Sequence, residues 1–241
     1  MATESLRDSE LSLEDSIEIA NPQHPHCATV LLLDTSGSMA GDKIRQLNDG
    51  LRAFRDDVLS DDLARKRVEA AVVTFGGTVE TAHDFASIEQ FNPAPFPATG
   101  GTPMGGAILR AIEMVRQRKD GYRATGVDYY RPWIFMVTDG EPTDMKQGDP
   151  LWEEVVTAVH EGEARKEFLF FTVGVEPADM ALLTKIAPPE RPPVQLRPGR
   201  FAEMFAWLSR SQQRVSASRV GEQVALENPT GPAGWAEITT S

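Results

Sequence analysis

Cysteine is almost missing from this chain: Cys27 is the single one among 241 residues. One thiol excludes an internal disulfide framework and any zinc site built from several cysteines. Basic residues are outnumbered as well, 24 Lys and Arg against 36 Asp and Glu, a net charge of −12. So acidic a surface argues against non-specific binding to nucleic acid or anionic lipid, which need a basic face. Anything acidic that the chain recognises must then be drawn by a local positive centre. Long apolar runs are lacking too. The longest, near Val30–Leu33 and Phe168–Phe171, fall far short of the roughly 20 residues that span a bilayer. The opening residues, MATESLRDSELSLEDSIEIA, have neither the basic start nor the apolar stretch of a signal peptide. A cytoplasmic location is the expectation.

What is present is an ordinary globular composition, 41% hydrophobic and 25% charged, in a chain long enough to bury a real core. Residues 1–25 read as an acidic leader, in which Leu11, Leu13, Ile17 and Ile19 offer a short strand or a surface contact. Asn21-Pro22 and Pro25 break the chain before a domain over 26–216. Residues 217–241, with Pro229, Gly231, Pro232 and Gly234, read as an extended tail that Trp235 and Ile238 could dock.

Within the domain, Ala28–Leu33 is a continuous apolar run, the pattern of a strand buried on both faces of a parallel sheet. Ile44, Leu47, Leu51, Phe54 and Val58 then recur at steps of three and four, one stripe of an amphipathic helix. Val68–Phe75 predicts a strand, Gly76-Gly77 a hairpin turn, and Thr78–Ala82 an antiparallel edge strand. A helix with Met104, Ile108, Ala111, Ile112 and Val115 on one face follows the loop at residues 99–103, and residues 120–132 read as a surface excursion with exposed tyrosines. Strands at Trp133–Val137, Phe168–Val175 and Val194–Leu196 alternate with helices around Trp152–Val159, Ala178–Ile186 and Phe201–Gln213. This order predicts an α/β fold, doubly wound and Rossmann-like: a mostly parallel central sheet with one antiparallel edge strand and helices on both faces.

Three loops are expected at the carboxyl edge of that sheet, where such folds place ligands. They are Asp34-Thr-Ser36-Gly-Ser38-Met39, Gly100-Gly101-Thr102-Pro103 and Thr138-Asp139-Gly140-Glu141. Their residue types suit a hard cation, which takes oxygen ligands at about 2.0–2.1 Å in the case of magnesium and keeps some waters. Ser36, Ser38 and Thr102 offer neutral hydroxyls; Asp34 and Asp139 offer carboxylates that bind directly or hold metal-bound water. A cation held this way stays electrophilic and keeps an open position. Each residue also has a plainer reading: Thr102 before Pro103 as a helix N-cap, Asp34 and Asp139 as turn residues. Glu141, Thr143 and Asp144 read as a solvated acidic loop, with orienting the third loop or contacting a partner as the alternative. His24, His26 and Cys27 read as an exposed approach to the first strand, since a zinc site needs a fourth ligand.

DTSGSM after an apolar strand, then GGTPMGGA, then MVTDGEPTD resemble the three segments of the metal-ion-dependent adhesion site of von Willebrand factor A domains. NPQHPHCATVLLLDTSGSM with TDGEPTD is most similar to the bacterial tellurite-resistance-type members, although this chain lacks the cysteine-rich zinc module that some of them carry. The resemblance implies Ser36, Ser38 and Thr102 as direct ligands of Mg2+ (or Mn2+ or Ca2+), with Asp34 and Asp139 acting mostly through water. It also implies a protein partner that supplies a Glu or Asp carboxylate to the metal, with Met39, Lys43, Met104 and loop 140–146 at the rim. A phosphatase or kinase partner and a stress-response setting are what the tellurite-type members suggest. The competing reading is a metal-dependent phosphatase using Asp34, but that chemistry wants a second Asp where Ser36 stands. None of the four histidines lies in the three loops, and Gly-x-Ser-x-Gly and a phosphate-binding Gly-Lys-Ser/Thr loop are missing, so no enzyme is expected.

Overall fold

Strand β1, Cys27–Asp34, carries the apolar run, and all eight of its residues are buried. Its side chains divide between two cores as strand geometry requires. Leu31 and Leu33 enter one, and Val30 and Leu32 the other. The computed structural model describes residues 19–238. Among these, β2 (Val68–Gly76), β3 (Thr78–Ser87), β4 (Trp133–Thr138), β5 (Leu169–Val175), β6 (Val194–Leu196) and β7 (Ala236–Glu237) complete one sheet. The order is β3-β2-β1-β4-β5-β6-β7. β2, β1, β4, β5 and β6 run parallel, and β3 pairs antiparallel with β2 at the edge, as the Gly76-Gly77 hairpin predicts.

The helices cover both faces. On one, the stripe Ile44, Leu47, Leu51, Phe54 and Val58 of α1 (Asp42–Ser60) packs with α6 (Phe201–Ala217). The two approach so closely at Gly50 that a Cβ there would lie 2.1 Å from the Phe205 ring. Short α2 (Ala64–Arg67) leads into β2. On the other face, α3 (Met104–Thr125), α4 (Pro150–Ala164) and α5 (Met180–Ile186) contribute Ile108, Val155 and Leu183 to the second core. No helix of the described residues is long and apolar enough to cross a membrane.

The connections run outward from β1 in one direction and from β4 in the other. The crevice between the carboxyl ends of these adjacent strands is therefore the topological switch point, where open α/β sheets place ligands.

The structure corrects the sequence reading in several places. Residues 120–132 are not a surface excursion. α3 runs on to Thr125 and stops at Gly126, whose φ of +68° is the left-handed cap that glycine favours. Tyr122 is thereby fully buried and Tyr130 is 5% exposed. Nor do His26 and Cys27 lie in an exposed approach: both are buried. His26 Nδ1 stands 3.0 Å from Glu69 of β2. β3 extends five residues beyond Ala82, to Ser87. The tail contributes β7, a second antiparallel partner on the far edge beside β6, and buries Trp235 against Trp207, whereas Ile238 stays exposed. Leu11, Leu13 and Ile17 of the leader lie outside the described residues; Ile19 packs against the Ala28–Tyr122–Val127 cluster.

Candidate metal centre

Asp34 ends β1 and Thr138 ends β4, so adjacent parallel strands deliver their last side chains side by side. Asp34 is fully buried. Its Oδ1 accepts from the Ser36 backbone N–H at 2.8 Å, and its Oδ2 accepts from the Thr138 hydroxyl at 2.6 Å. Burial pushes its carboxyl up, and neighbouring Asp139 adds to this; the hydrogen bonds from Ser36 and Thr138 oppose the shift without cancelling it. A buried carboxylate held above its ordinary range is one that a nearby cation would relieve.

The chain then turns through a single 3-10 turn, Gly37–Met39, before α1 begins. This turn directs Met39 into the core and leaves Ser38 at the surface. Ser36 Oγ and Ser38 Oγ stand 2.9 Å apart, and the Ser38 hydroxyl donates to Asp139 Oδ1 at 2.6 Å. Lys43, in the first turn of α1, donates to Asp139 Oδ2 and, at 3.3 Å, to the Ser38 carbonyl.

Backbone hydrogen bonds hold the second loop against the first and against the β2–β3 hairpin. Gly37 N–H donates to the Gly100 carbonyl at 2.9 Å, and Gly77 N–H to that of Gly101 at 2.7 Å. Gly100 has φ +72°, and a Cβ on it would lie 2.4 Å from Gly77 Cα. Thr102 is buried, and its backbone exchanges two hydrogen bonds with Thr143: Thr102 N–H to Thr143 Oγ1 at 3.0 Å, and Thr143 N–H to the Thr102 carbonyl at 2.8 Å. Asp144 accepts from the backbone N–H groups of Gly105 and Gly106 at 3.1 and 2.8 Å, capping the start of α3. Thr143 and Asp144, although exposed, therefore fasten the third loop to the second, the orienting role that the sequence offered beside a solvated acidic loop; Glu141 is exposed.

These residues fit a small hard cation. Two oxygens on adjacent corners of an octahedron with bonds of about 2.0–2.1 Å stand about 2.9 Å apart, and the two serine hydroxyls have that separation. By donating its proton to Asp139, Ser38 keeps a lone pair free for an ion even while it accepts from the Ser36 hydroxyl. Gly140 lines a cradle: a Cβ there would lie 3.0 Å from Thr102 Oγ1 and 3.6 Å from Asp34 Oδ2. No group of three or more His, Cys, Asp or Glu side chains among the described residues is placed to hold a metal, so a cation here would rest chiefly on hydroxyls.

All five residues singled out from the sequence come to this crevice. Thr138 and Lys43 acquire roles there that the sequence reading did not give them. Thr138 was signalled only by its place before Asp139, and Lys43 had been assigned to the rim. Two other expected rim residues are displaced: Met39 and Met104 are fully buried, one in each core.

Fold and site together define a doubly wound α/β domain whose switch point is lined by hydroxyls and carboxylates from three loops. Comparison with known proteins names that class. The chain belongs to the von Willebrand factor type A domain family, whose model matches residues 29–203. By sequence it is similar to inter-alpha-trypsin inhibitor heavy chain H4 of Sus scrofa, at 30% identity over 126 residues. It is also similar to heavy chain H1 of Bos taurus, at 27% over 125. These matches span 47% and 48% of this chain but only 12% and 13% of the heavy chains. They do not carry the tellurite-type likeness. Among solved structures, the von Willebrand factor type A protein from Catenulispora acidiphila shares the fold at a TM-score of 0.56 and 16% identity, covering 79% of this chain and 43% of that one. The pilus adhesin SpaC from Lactobacillus rhamnosus GG does so at 0.59 and 11%, covering 79% and 30%. Proximal thread matrix protein 1 of the mussel byssus, in a form described as having a zinc-occupied adhesion-site motif, aligns at 0.50 and 17%, covering 80% and 48%.

Proposed function

We propose that this domain is a divalent-metal-dependent protein-binding module. Ser36, Ser38 and Thr102 hold a single Mg2+ or Mn2+ directly, and Asp34 and Asp139 do so mostly through water. The observation that carries the reading is the hydroxyl pair at octahedral spacing beside two carboxylates on adjacent strand ends. A bound ion supplies a Lewis-acidic centre with a replaceable water. In this acidic protein it is the local positive centre that an acidic partner requires. A Glu or Asp carboxylate of a partner protein is the ligand best suited to displace that water. The exposed rim of Gly37, Ser38, Gly101, Glu141, Thr143 and Asp144 supplies specificity. The zinc-occupied motif of the mussel matrix protein supports the metal part of the reading.

Binding is favoured over catalysis. Asp34 is fully buried with both oxygens occupied, a poor nucleophile for phosphoryl transfer. None of the hydrogen bonds at the three loops involves a histidine that could serve as a general base. The motif likeness to tellurite-resistance-type proteins makes a protein phosphatase or kinase in a cytoplasmic stress-response complex the partner to test first.

The test is affinity purification with the tagged chain in magnesium, in chelator, and with Thr102→Ala. A specific partner should elute with chelator and be lost from the variant. A partner retained equally in all three arms overturns the metal-dependent reading.

A further inference from the structure

The contact between Lys43 and Asp139 has a consequence for the ion itself. Asp139 is buried, with its side chain 0% exposed, whereas that of Lys43 is 29% exposed, so the ammonium covers the carboxylate from the solvent side. Lys43 reaches there because α1 starts directly after Gly41, whose φ of +86° turns the chain so that the first helical turn stands over the Ser38 loop. The ammonium donates both to Asp139 Oδ2 and to the Ser38 carbonyl, spanning the first and third loops of the cradle. Ser38 meanwhile occupies Asp139 Oδ1.

We propose that Lys43 is a tethered cation that neutralises Asp139 while the cradle holds no divalent ion and is displaced when one binds, so that it sets the threshold for loading. The proposal rests on the metal-centre reading above. The loops bring two carboxylates together, and the lysine stands against one of them. A divalent ion offsets both, and a lysine left in place would then add a like charge beside it. Repulsion between unit charges a few ångströms apart near a protein surface is large enough to move a side chain that already reaches solvent. A lysine suits this role because its flexible stem lets the ammonium swing outward without disturbing the helix. Displacement also frees Asp139 Oδ2 to accept from a metal-bound water. The module would thus switch between an ammonium-held and a metal-held state, and only the second presents an electrophile to a partner.

The test is calorimetric titration of Mn2+ into the full chain at low salt, comparing wild type with Lys43→Met and Lys43→Arg. Lys43→Met keeps the aliphatic stem without the charge and should bind about tenfold more tightly; Lys43→Arg keeps the charge and should stay close to wild type. Equal or weaker binding by folded Lys43→Met overturns the proposal and leaves the metal-centre reading intact. Absence of Mn2+ binding by every protein, wild type included, overturns both. A second measurement needs no variant. Labelling of wild-type lysines with an amine-acylating reagent, read by mass spectrometry, should show Lys43 protected in chelator and more reactive in Mn2+. Unchanged or reduced reactivity in Mn2+ overturns the proposal whatever the variants do.

Discussion

Replacing Arg118 with methionine should destabilise this domain severely. Arg118 is 4% exposed and Glu69 is 1% exposed. The guanidinium grips the carboxylate through Nε at 2.8 Å and Nη2 at 2.7 Å. His26 and the Tyr122 hydroxyl complete the shell around Glu69. Burial alone would push the Glu69 carboxyl up, but hydrogen bonds and charge from His26 and Arg118 outweigh it and bring the value from 4.5 down to about 2. A depressed carboxyl contributes stability above its unfolded value, and that contribution is lost as pH falls from about 4.5 towards 2. Arg118→Met leaves Glu69 buried with its charge poorly compensated, which costs about 3–5 kcal/mol. At about 2–4 °C per kcal/mol for a domain of this size, the melting temperature falls by roughly 6–20 °C. Urea unfolding at pH 7 measures the gap, and repeating it towards pH 3 should narrow it as Glu69 of the variant takes up a proton. The double variant Glu69→Gln/Arg118→Met should be more stable than Arg118→Met alone. A loss below about 1 kcal/mol, or a gap unchanged down to pH 3, would refute the reasoning.

Two further outcomes are expected. Gly140→Ala should leave the melting temperature within a few degrees, because Gly140 is absent from the positive-φ glycines, yet should weaken Mn2+ binding by about tenfold or more through a methyl group placed 3.0 Å from Thr102 Oγ1; unchanged affinity in a titration would mean that the cradle is not where the ion sits. Trp235→Ala removes a side chain stacked edge-on to Trp207 at 5.6 Å and should cost roughly 3 kcal/mol and open the tail to limited proteolysis, with metal affinity unaltered. A tail that resists protease as well as wild type would show that Trp235 is not what docks it.

The parts of the fold that were legible in the sequence are those that local pattern dictates. The unbroken apolar run of β1, the helical stripe of α1 and the Gly76-Gly77 hairpin each need only their own residues to be read. That the five oxygen-bearing residues converge was legible because the motif places them on loops that leave the carboxyl edge of the sheet. What escaped depends on partners distant in the chain. His26 is buried because Glu69, 43 positions later, lies across the β1–β2 pair to receive it. Tyr122 is buried because α3 continues through Gly121 far enough for its hydroxyl to reach the same carboxylate. β7 forms because the tail returns to the β6 edge, where Arg197 N–H meets the Trp235 carbonyl at 3.0 Å. Met39 and Met104 were expected at the rim, but the 3-10 turn directs Met39 inward and Met104 follows the buried helical stripe of α3 that the sequence also showed.

The central claim is that Asp34, Ser36, Ser38, Thr102 and Asp139 form one cradle for a divalent ion. Titration of Mn2+ into wild type and Asp34→Ala, each first stripped with chelator, tests it most directly. Loss of Asp34 removes a carboxylate whose ionised form burial already disfavours, so the variant is expected to stay folded, which its melting curve checks. Wild type should bind one ion per chain, and folded Asp34→Ala should bind at least about tenfold more weakly or not at all. An Asp34→Ala protein that binds one ion with wild-type affinity, or a wild-type protein that binds none, contradicts the claim.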